Sequence, residues 1–369
     1  MNGRSLTFGR VEDTHGETHG VAPVATMDAI DEGSARSARS GGLLDYLFVA
    51  RDNNYGLTRD VKLLVEAIGE AGGRSGFAAS RGRRLLDWLL RRRAASAIIH
   101  IERAFPAWFS AGARNFLIPN QERFPRRHIA RLRRIDRVLA KTRHAETVFS
   151  ALGVPTTYIG FTSEDRLEAS VEKDWSLFLH LAGGSTLKGT EDVMALWRAH
   201  PEWPRLILVQ KAENAPDSVP DNVTLLSGHI DDAELKRLQN ACGIHLCPSR
   251  AEGWGHHIVE AMSAGAVVVT TDAPPMNEHI DASCGVLVDV ARSEPRHLGE
   301  SFYVDRKALE AAIEGLLIMP AAEKSVLGTS ARSRYRQIDA SFRAHVARHL
   351  GDVSAVAPQK PDIAAIRHP

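Results

Sequence analysis

Short apolar runs that alternate with helix-period segments constrain this chain more than any other feature. Leu44-Asp-Tyr-Leu-Phe-Val-Ala50 is too short for a buried helix and too apolar for a surface strand, so it reads as a strand covered on both faces. A helix from Leu57 to Ala71 follows, with Val61, Leu64, Val65 and Ile68 on one side, and a second covers Leu85 to Arg92. Further short strands fall at Ala97-Ile-Ile-His-Ile101, Asn115-Phe-Leu-Ile118, Arg137-Val-Leu-Ala140 and Thr157-Tyr-Ile159. Such alternation implies a parallel sheet, because parallel neighbours need a crossover and the helices supply it. A polar stretch from Thr162 to Asp174 interrupts the pattern, which restarts at Leu177-Phe-Leu-His-Leu181. A helix carrying Val193, Leu196, Trp197 and His200 follows, then strands at Leu206–Val209, Val223–Leu226, Ile244–Leu246, Ala266–Val269 and Val286–Val288. The expected fold class is α/β, with two Rossmann-like doubly wound domains facing a cleft.

A chain of 369 residues has room for two such cores. The expected division is a polar, disordered leader over 1–42, a first domain over 43–165, a second over 166–320, C-terminal helices over 321–350 and a loose tail over 351–369. His15 and His19 in the leader read as part of a floppy tail rather than a metal tract. Three cysteines, Cys242, Cys247 and Cys284, are too few for a disulfide framework and suit a reducing, cytoplasmic setting. No run approaches the ~20 apolar residues of a spanning helix. Charge is uneven: from Arg81 to Arg143 there are 16 Arg and one Lys against four acids, a net of +13 in a chain whose total is +1. That segment suits a phosphate-rich ligand or peripheral contact with an anionic membrane at the inner face. Nucleic acid is not expected, since no recognition-helix or aromatic-interleaved pattern accompanies the arginines.

The chemistry concentrates in Pro248-Ser-Arg-Ala-Glu252-Gly-Trp-Gly255-His-His-Ile-Val-Glu260-Ala-Met-Ser-Ala-Gly265. A strand, a Gly-x-Gly turn and a helix start present backbone N–H groups and a helix dipole to a phosphate. Glu252 and Glu260 flank that turn and supply acceptors for hydroxyls, so the fitting ligand is both phosphorylated and polyhydroxylated. A second loop, Gly183-Gly184-Ser-Thr-Leu-Lys188-Gly-Thr190, delivers one Lys to a strand end, with Thr190 as the expected helix cap. Its Lys-Gly-Thr order departs from the Gly-Lys-Thr of a phosphate-binding P-loop. Further strand-to-helix turns occur at Ser227-Gly228-His229 and at Thr270 to Glu278. His256, His257 and Glu260 have the spacing of a helical metal pair, but no third ligand accompanies them, so no metal site is expected.

From about Leu177 to Val288 these segments resemble the donor-binding domain of retaining GT-B glycosyltransferases of the family 4, or group 1, class with its Glu-x7-Glu signature. The resemblance rests on Lys188-Gly, Pro248-Ser-x-x-Glu252-Gly-x-Gly255, Glu260-Ala-Met262, Ala264-Gly265 and the Val-rich strand after them. It implies a hexosyl transfer from a UDP- or GDP-sugar to a saccharide, lipid-linked or other glycan acceptor in cell-surface polysaccharide or glycoconjugate synthesis. A C-terminal helix would pack back on the first domain, and no cofactor or metal would be required.

Residue by residue, Lys188 would neutralise the donor diphosphate, and Gly183, Gly184, Gly255 and the backbone of His256 and His257 would cradle it. Glu260 would accept the ribose hydroxyls, Glu252 the transferred sugar, Gly228 and His229 would read the base, and Met276, Asn277 and Glu278 would contact the sugar. In the first domain, Tyr55 and Gly56 match the acceptor-side loop, His100 or Glu102 would touch the donor sugar, and Asn120 and Glu122 would face the cleft. One departure concerns the diphosphate: such enzymes place an Arg at the strand end before the Lys, whereas Ala182 to Thr186 contains none, and Arg51 or another first-domain cation would substitute. A nucleotide-sugar epimerase of similar fold, or a non-catalytic nucleotide-sugar-binding scaffold, would share the same cradle.

Overall fold

The computed structural model describes residues 43–51 and 56–352; the expected leader, most of the tail and Tyr55 lie outside them. The first domain runs β1 (Leu44–Ala50), α1 (Gly56–Glu70), β2 (Ser75–Ala79), α2 (Leu85–Leu89), β3 (Ala95–Glu102), β4 (Arg114–Pro119), β5 (Arg137–Ala140), α3 (Arg143–Ala151) and β6 (Thr156–Tyr158). Its six strands form one parallel sheet in the order β2-β1-β3-β4-β5-β6. Tyr46, Phe48, Ile98, Ile99, Phe116 and Leu117 are fully or almost fully buried, as strands covered on both faces require.

The second domain runs β7 (Asp174–Gly183), α4 (Thr190–Ala199), β8 (Leu206–Gln210), β9 (Val223–Leu226), α5 (Asp232–Ala241), β10 (Cys242–Cys247), α6 (His256–Ser263), β11 (Val267–Thr271) and β12 (Gly285–Val288). Its parallel sheet has the order β12-β11-β10-β7-β8-β9. Numbered within the domain from the β9 edge, this is 3-2-1-4-5-6, the dinucleotide-binding order, which opens a crevice between its first and fourth strands. Those strands are β7 and β10. The loops after them carry Gly183 to Lys188 and Pro248 to Gly255, so topology alone brings the two motif segments together.

An antiparallel hairpin, β13 (Val290–Arg296) and β14 (Gly299–Val304), leaves the second domain and touches the first. The Phe302 N–H donates to the Arg250 carbonyl at 2.7 Å, and the Leu298 N–H donates to the Gln121 carbonyl at 3.2 Å. After α7 (Arg306–Ile318), the 30-residue α8 (Ala321–Leu350) packs across both domains. Phe342, Val346 and Leu350 share one buried cluster with Tyr46, Phe48 and Ile68 of the first domain and with Val259 and Met262 of the second. The expected return of the C-terminal helix is therefore present.

The sequence reading missed β2 and the hairpin. Thr190 is the first residue of its helix, not the cap; Gly189 caps it at φ +72, and the Thr190 hydroxyl lies 3.0 Å from His180 Nε2. The Leu85–Arg92 helix is shorter than expected, ends at Leu89 and buries none of its residues.

Candidate active site

Lys188 reaches from the β7 loop to the turn after β10. Its Nζ donates to Glu252 Oε1 at 2.6 Å and lies 3.1 Å from His257 Nδ1. The other ring nitrogen of His257 sits 3.0 Å from Ser249 Oγ, which fixes the ring. Burial alone would raise the Glu252 carboxyl, but the Lys188 ammonium beside it outweighs burial and holds the group at about 2. Burial, and then the neighbouring Lys188 charge, keep His257 well below its ordinary value, so it sits beside the lysine as a neutral ring.

The turn that presents this pair needs its glycines for two reasons. Gly255 has φ +99, a conformation that side chains with a Cβ avoid. Gly253 lets the first domain approach, because a Cβ there would lie 2.3 Å from Asn120 Oδ1. The first internal bonds of α6 run from the Ile258 and Val259 N–H groups to the Gly255 carbonyl. Helix geometry therefore leaves the amides of His256 and His257, with the positive end of the dipole, for an anion.

Glu260 lies one turn further along α6 and is 2% exposed. Arg59 Nη1 of α1 donates to its Oε1 at 2.5 Å, and Gln239 Nε2 donates to its Oε2 at 3.1 Å. His256 points across the cleft, with Nε2 2.7 Å from Asp60 Oδ1 and Nδ1 2.9 Å from Ser163 Oγ. Asp60 also accepts from Lys141 Nζ at 3.1 Å. Burial opposes ionisation of Asp60, yet Lys141 and His256 bring it down to about 2. These first-domain partners, Arg59, Asp60 and Lys141, were not singled out in the sequence. The one available signal was position: Arg59 and Asp60 fall near the start of the helix after β1.

Of the first-domain candidates, Asn120 meets the donor-side turn. Asn120 packs on Gly253, and the intervening Gln121 donates its Nε2 to the Glu252 carbonyl at 2.9 Å. Glu122 is buried beside Gly299 of the hairpin. Its Oε2 has no hydrogen-bond partner, and burial pushes the carboxyl up to about 7. Glu102 ends β3 with a left-handed backbone, φ +66, and pairs with Arg103 at 3.0 Å. His100 is not brought to the cleft. It is fully buried inside the first domain, with Nε2 3.1 Å from Asn115 Oδ1, Nδ1 accepting from the Phe105 N–H, and its ring against Phe109. Burial lowers it to about 4, as befits a neutral core ring.

Cations do face the Gly183–Lys188 loop. Arg103 and Arg123 from the first domain, with Arg296 and His297 from the hairpin, line a 230 Å³ cavity together with Gly184 to Leu187. Arg296 Nε is buried there without a partner. Arg51, the first-domain cation named in the sequence, stands with Arg103 among the arginines around His128. The remaining candidates separate. Gly228 and His229 are exposed after β9, and Gly56 opens α1. Met276 is buried in the core and Asn277 bonds Asp272. Glu278 turns away to the first domain, where its two oxygens accept from the Arg143 and His144 N–H groups at 2.7 Å each. That is an anion at the positive end of α3, a helix cap supplied by the other domain.

Three comparisons bear on this arrangement. Residues 217–298 match the family described as "Glycosyl transferases group 1". No match was found among functionally curated proteins by sequence. Solved structures do align along most of the chain. HepE of Anabaena in complex with UDP and glucose aligns at TM-score 0.64 and 15% identity, over 83% of this chain and 99% of that one. Sucrose-phosphate synthase of Thermosynechococcus elongatus gives 0.64 and 15%, over 85% and 100%. A glycosyltransferase of Rickettsia africae gives 0.66 and 12%, over 86% and 100%. The chain thus has the GT-B fold, and the segment of its second domain that includes Glu252 and Glu260 matches glycosyl transferases group 1.

Proposed function

We propose that this chain transfers a sugar from a nucleoside-diphosphate sugar to a glycan or lipid-linked acceptor with retention of anomeric configuration. The observation that carries it is the Lys188–Glu252 contact at 2.6 Å, set at the turn before α6, with Glu260 on the following helix turn. In this reading the donor diphosphate takes the place of Glu252 as counterion to Lys188 and accepts from the amides of His256 and His257. Glu252 then turns its acceptors to the hydroxyls of the transferred sugar. Glu260, oriented by Arg59 and Gln239, takes the ribose hydroxyls, because an ionised carboxylate has acceptor sites beyond the two that these residues use.

Chemistry then proceeds on one face of the ring. The bond from the anomeric carbon to the phosphate oxygen breaks, the acceptor oxygen bonds to that carbon, and the acceptor's proton passes to the departing phosphate. Lys188 and the helix N-terminus stabilise charge that grows as the diphosphate leaves, which is where fixed cations and dipoles contribute most. Arg103, Arg123 and Arg296 stand in for the arginine that the β7 strand end lacks, so the reading requires no metal. Asn120 and Glu122 form the acceptor side. HepE was solved with UDP and glucose, which makes UDP-glucose the first donor to test, with GDP-sugars next.

Lys188→Ala and Glu260→Ala should each cut turnover at least ~100-fold, about 2.7 kcal/mol of transition-state stabilisation. The measurement is transfer from a UDP- or GDP-sugar panel, with isothermal calorimetry of UDP and GDP alongside. Undiminished turnover in both variants would overturn the assignment.

A further inference from the structure

We infer that α2 and its flanks form an insertion element that docks this protein on an anionic lipid bilayer. The segment reads Arg81-Gly-Arg83-Arg84-Leu85-Leu86-Asp87-Trp88-Leu89-Leu90-Arg91-Arg92-Arg93. Surface helices of globular proteins bury one apolar face; this one buries no residue. Leu85 and Leu86 are each 68% exposed, Leu89 59%, Leu90 61% and Trp88 46%, five of the nine large apolar side chains that stand exposed among the described residues.

Their arrangement is directional. At about 100° per residue, the five apolar side chains sweep roughly 200° of the helix surface, and Asp87 falls at the back of that arc. Asp87 is half-buried and pairs with Arg92 at 3.3 Å, while the Arg83 guanidinium donates to the Asp87, Arg92 and Ala107 carbonyls and lies over the Trp108 ring. Arg83 thus ties the base of the helix to the body and leaves the apolar arc pointing outward.

Charge identifies the occupant. Arg81, Arg84, Arg91, Arg92 and Arg93 are all exposed around the arc. A second copy of this chain would bring its own arginines against them, so self-association through this face is opposed by like charge. A bilayer with anionic headgroups satisfies both parts at once: the arc enters the headgroup–acyl boundary and the arginines meet phosphates. The basic surface also continues beyond the helix. Arg134 lies over Phe109 at 5.5 Å, next to the Trp108 that Arg83 covers, and Arg131 donates to the Ala104 carbonyl. The segments 81–93 and 126–134 therefore converge on residues 104–110. Among the described residues no helix is long and apolar enough to cross a membrane, so the attachment is to a surface.

The inference stands apart from the sugar-transfer reading, and the test keeps them apart. The full chain is sedimented with vesicles of phosphatidylcholine alone and with vesicles of phosphatidylcholine and phosphatidylglycerol in equal parts, at low and high salt. Expected is binding to the anionic vesicles only, weakened by salt, and reduced about tenfold or more in Leu86→Asp/Leu89→Asp and in Arg91→Glu/Arg92→Glu/Arg93→Glu. All these side chains are exposed, so circular dichroism and unfolding temperature serve as fold controls. The inference is overturned by absent vesicle binding, by equal binding to neutral and anionic vesicles, or by variants that bind like the parent. It is equally overturned if the parent self-associates in solution and Leu86→Asp/Leu89→Asp abolishes that, since the arc would then be a protein interface. Loss of sugar transfer in Lys188→Ala bears on none of these outcomes.

Discussion

Glu122 sits in an environment unusual for a carboxylate. Its carboxyl is buried, one oxygen is unpartnered, and burial moves it from 4.5 up to about 7. Between those values the folded chain keeps a proton that the unfolded chain releases, so stability falls as pH rises from about 4.5 to 7 and levels off beyond. The full difference is worth at most ~3 kcal/mol. Glu122→Gln should therefore be more stable than the parent at pH 8 and match it near pH 5, read as unfolding temperature against pH. Parallel curves for the two proteins would place the titration elsewhere. Asp60 and Glu252 act with the opposite sign. Their folded values of about 2 lie below the ordinary 3.8 and 4.5, so their contribution is complete above about 4.5 and lost as pH falls toward 2. The sequence marked Glu122 and Glu252 as cleft residues because both follow strand ends. It could not show that the carboxyl of one is neutralised by burial and that of the other is ionised by a lysine 64 residues away.

At the scale of elements, what could be read in the sequence followed from burial on both faces. β1, β5, β8 and β9 fall where continuous apolar runs placed them, because a parallel strand under two helix layers has no polar face to disguise it. β2 escaped notice because Ser75-Gly-Phe-Ala-Ala79 offers one large apolar residue at the sheet edge. The hairpin escaped because Val290–Arg296 is mostly exposed, with three charged residues and a proline among its seven. The helix at Leu85 was legible as a helix but not as an exposed one, since its apolar content looks the same in a core. α8 shows how a contact between elements can hang on one residue. Gly328 sits where this helix crosses the C-terminal end of α6, and a Cβ there would lie 2.3 Å from the Gly265 carbonyl oxygen and 3.0 Å from the Trp175 ring. Neither is the loose end of a flexible chain, so the helix must move. Gly328→Ala should cost about 1–3 kcal/mol despite its better helix propensity, and lower the unfolding temperature. A neutral or stabilising effect would mean that α8 can slide on α6.

Across the whole molecule, the two domains are joined by devices that lie far apart in sequence, which is why they could not be read there. Arg59 meets Glu260 across 201 residues, His256 meets Asp60 across 196, and Glu278 meets the start of α3 across 134 and 135. The first two belong to the proposed donor site, so a bound diphosphate sugar would remake them. The third is separate from it. Glu278 ties the loop after β11 to a helix of the first domain by two backbone bonds, and burial raises its carboxyl because it gives up water to do so. Since both acceptors are used, removing them leaves two amides at a helix start without partners, at a cost of about 1–2 kcal/mol by the measure of helix caps. Glu278→Ala should therefore speed amide hydrogen exchange in Arg143–Ala151, while His256–Ser263, held by α8 and by the β10 and β11 strands, keeps its protection. Affinity for UDP-glucose relative to UDP should change little if Glu278 serves the domain contact, and fall at least tenfold if the residue instead reaches the donor sugar. Exchange at α3 and calorimetry of UDP-glucose beside UDP, measured on the same variant, decide between a cap and a sugar contact.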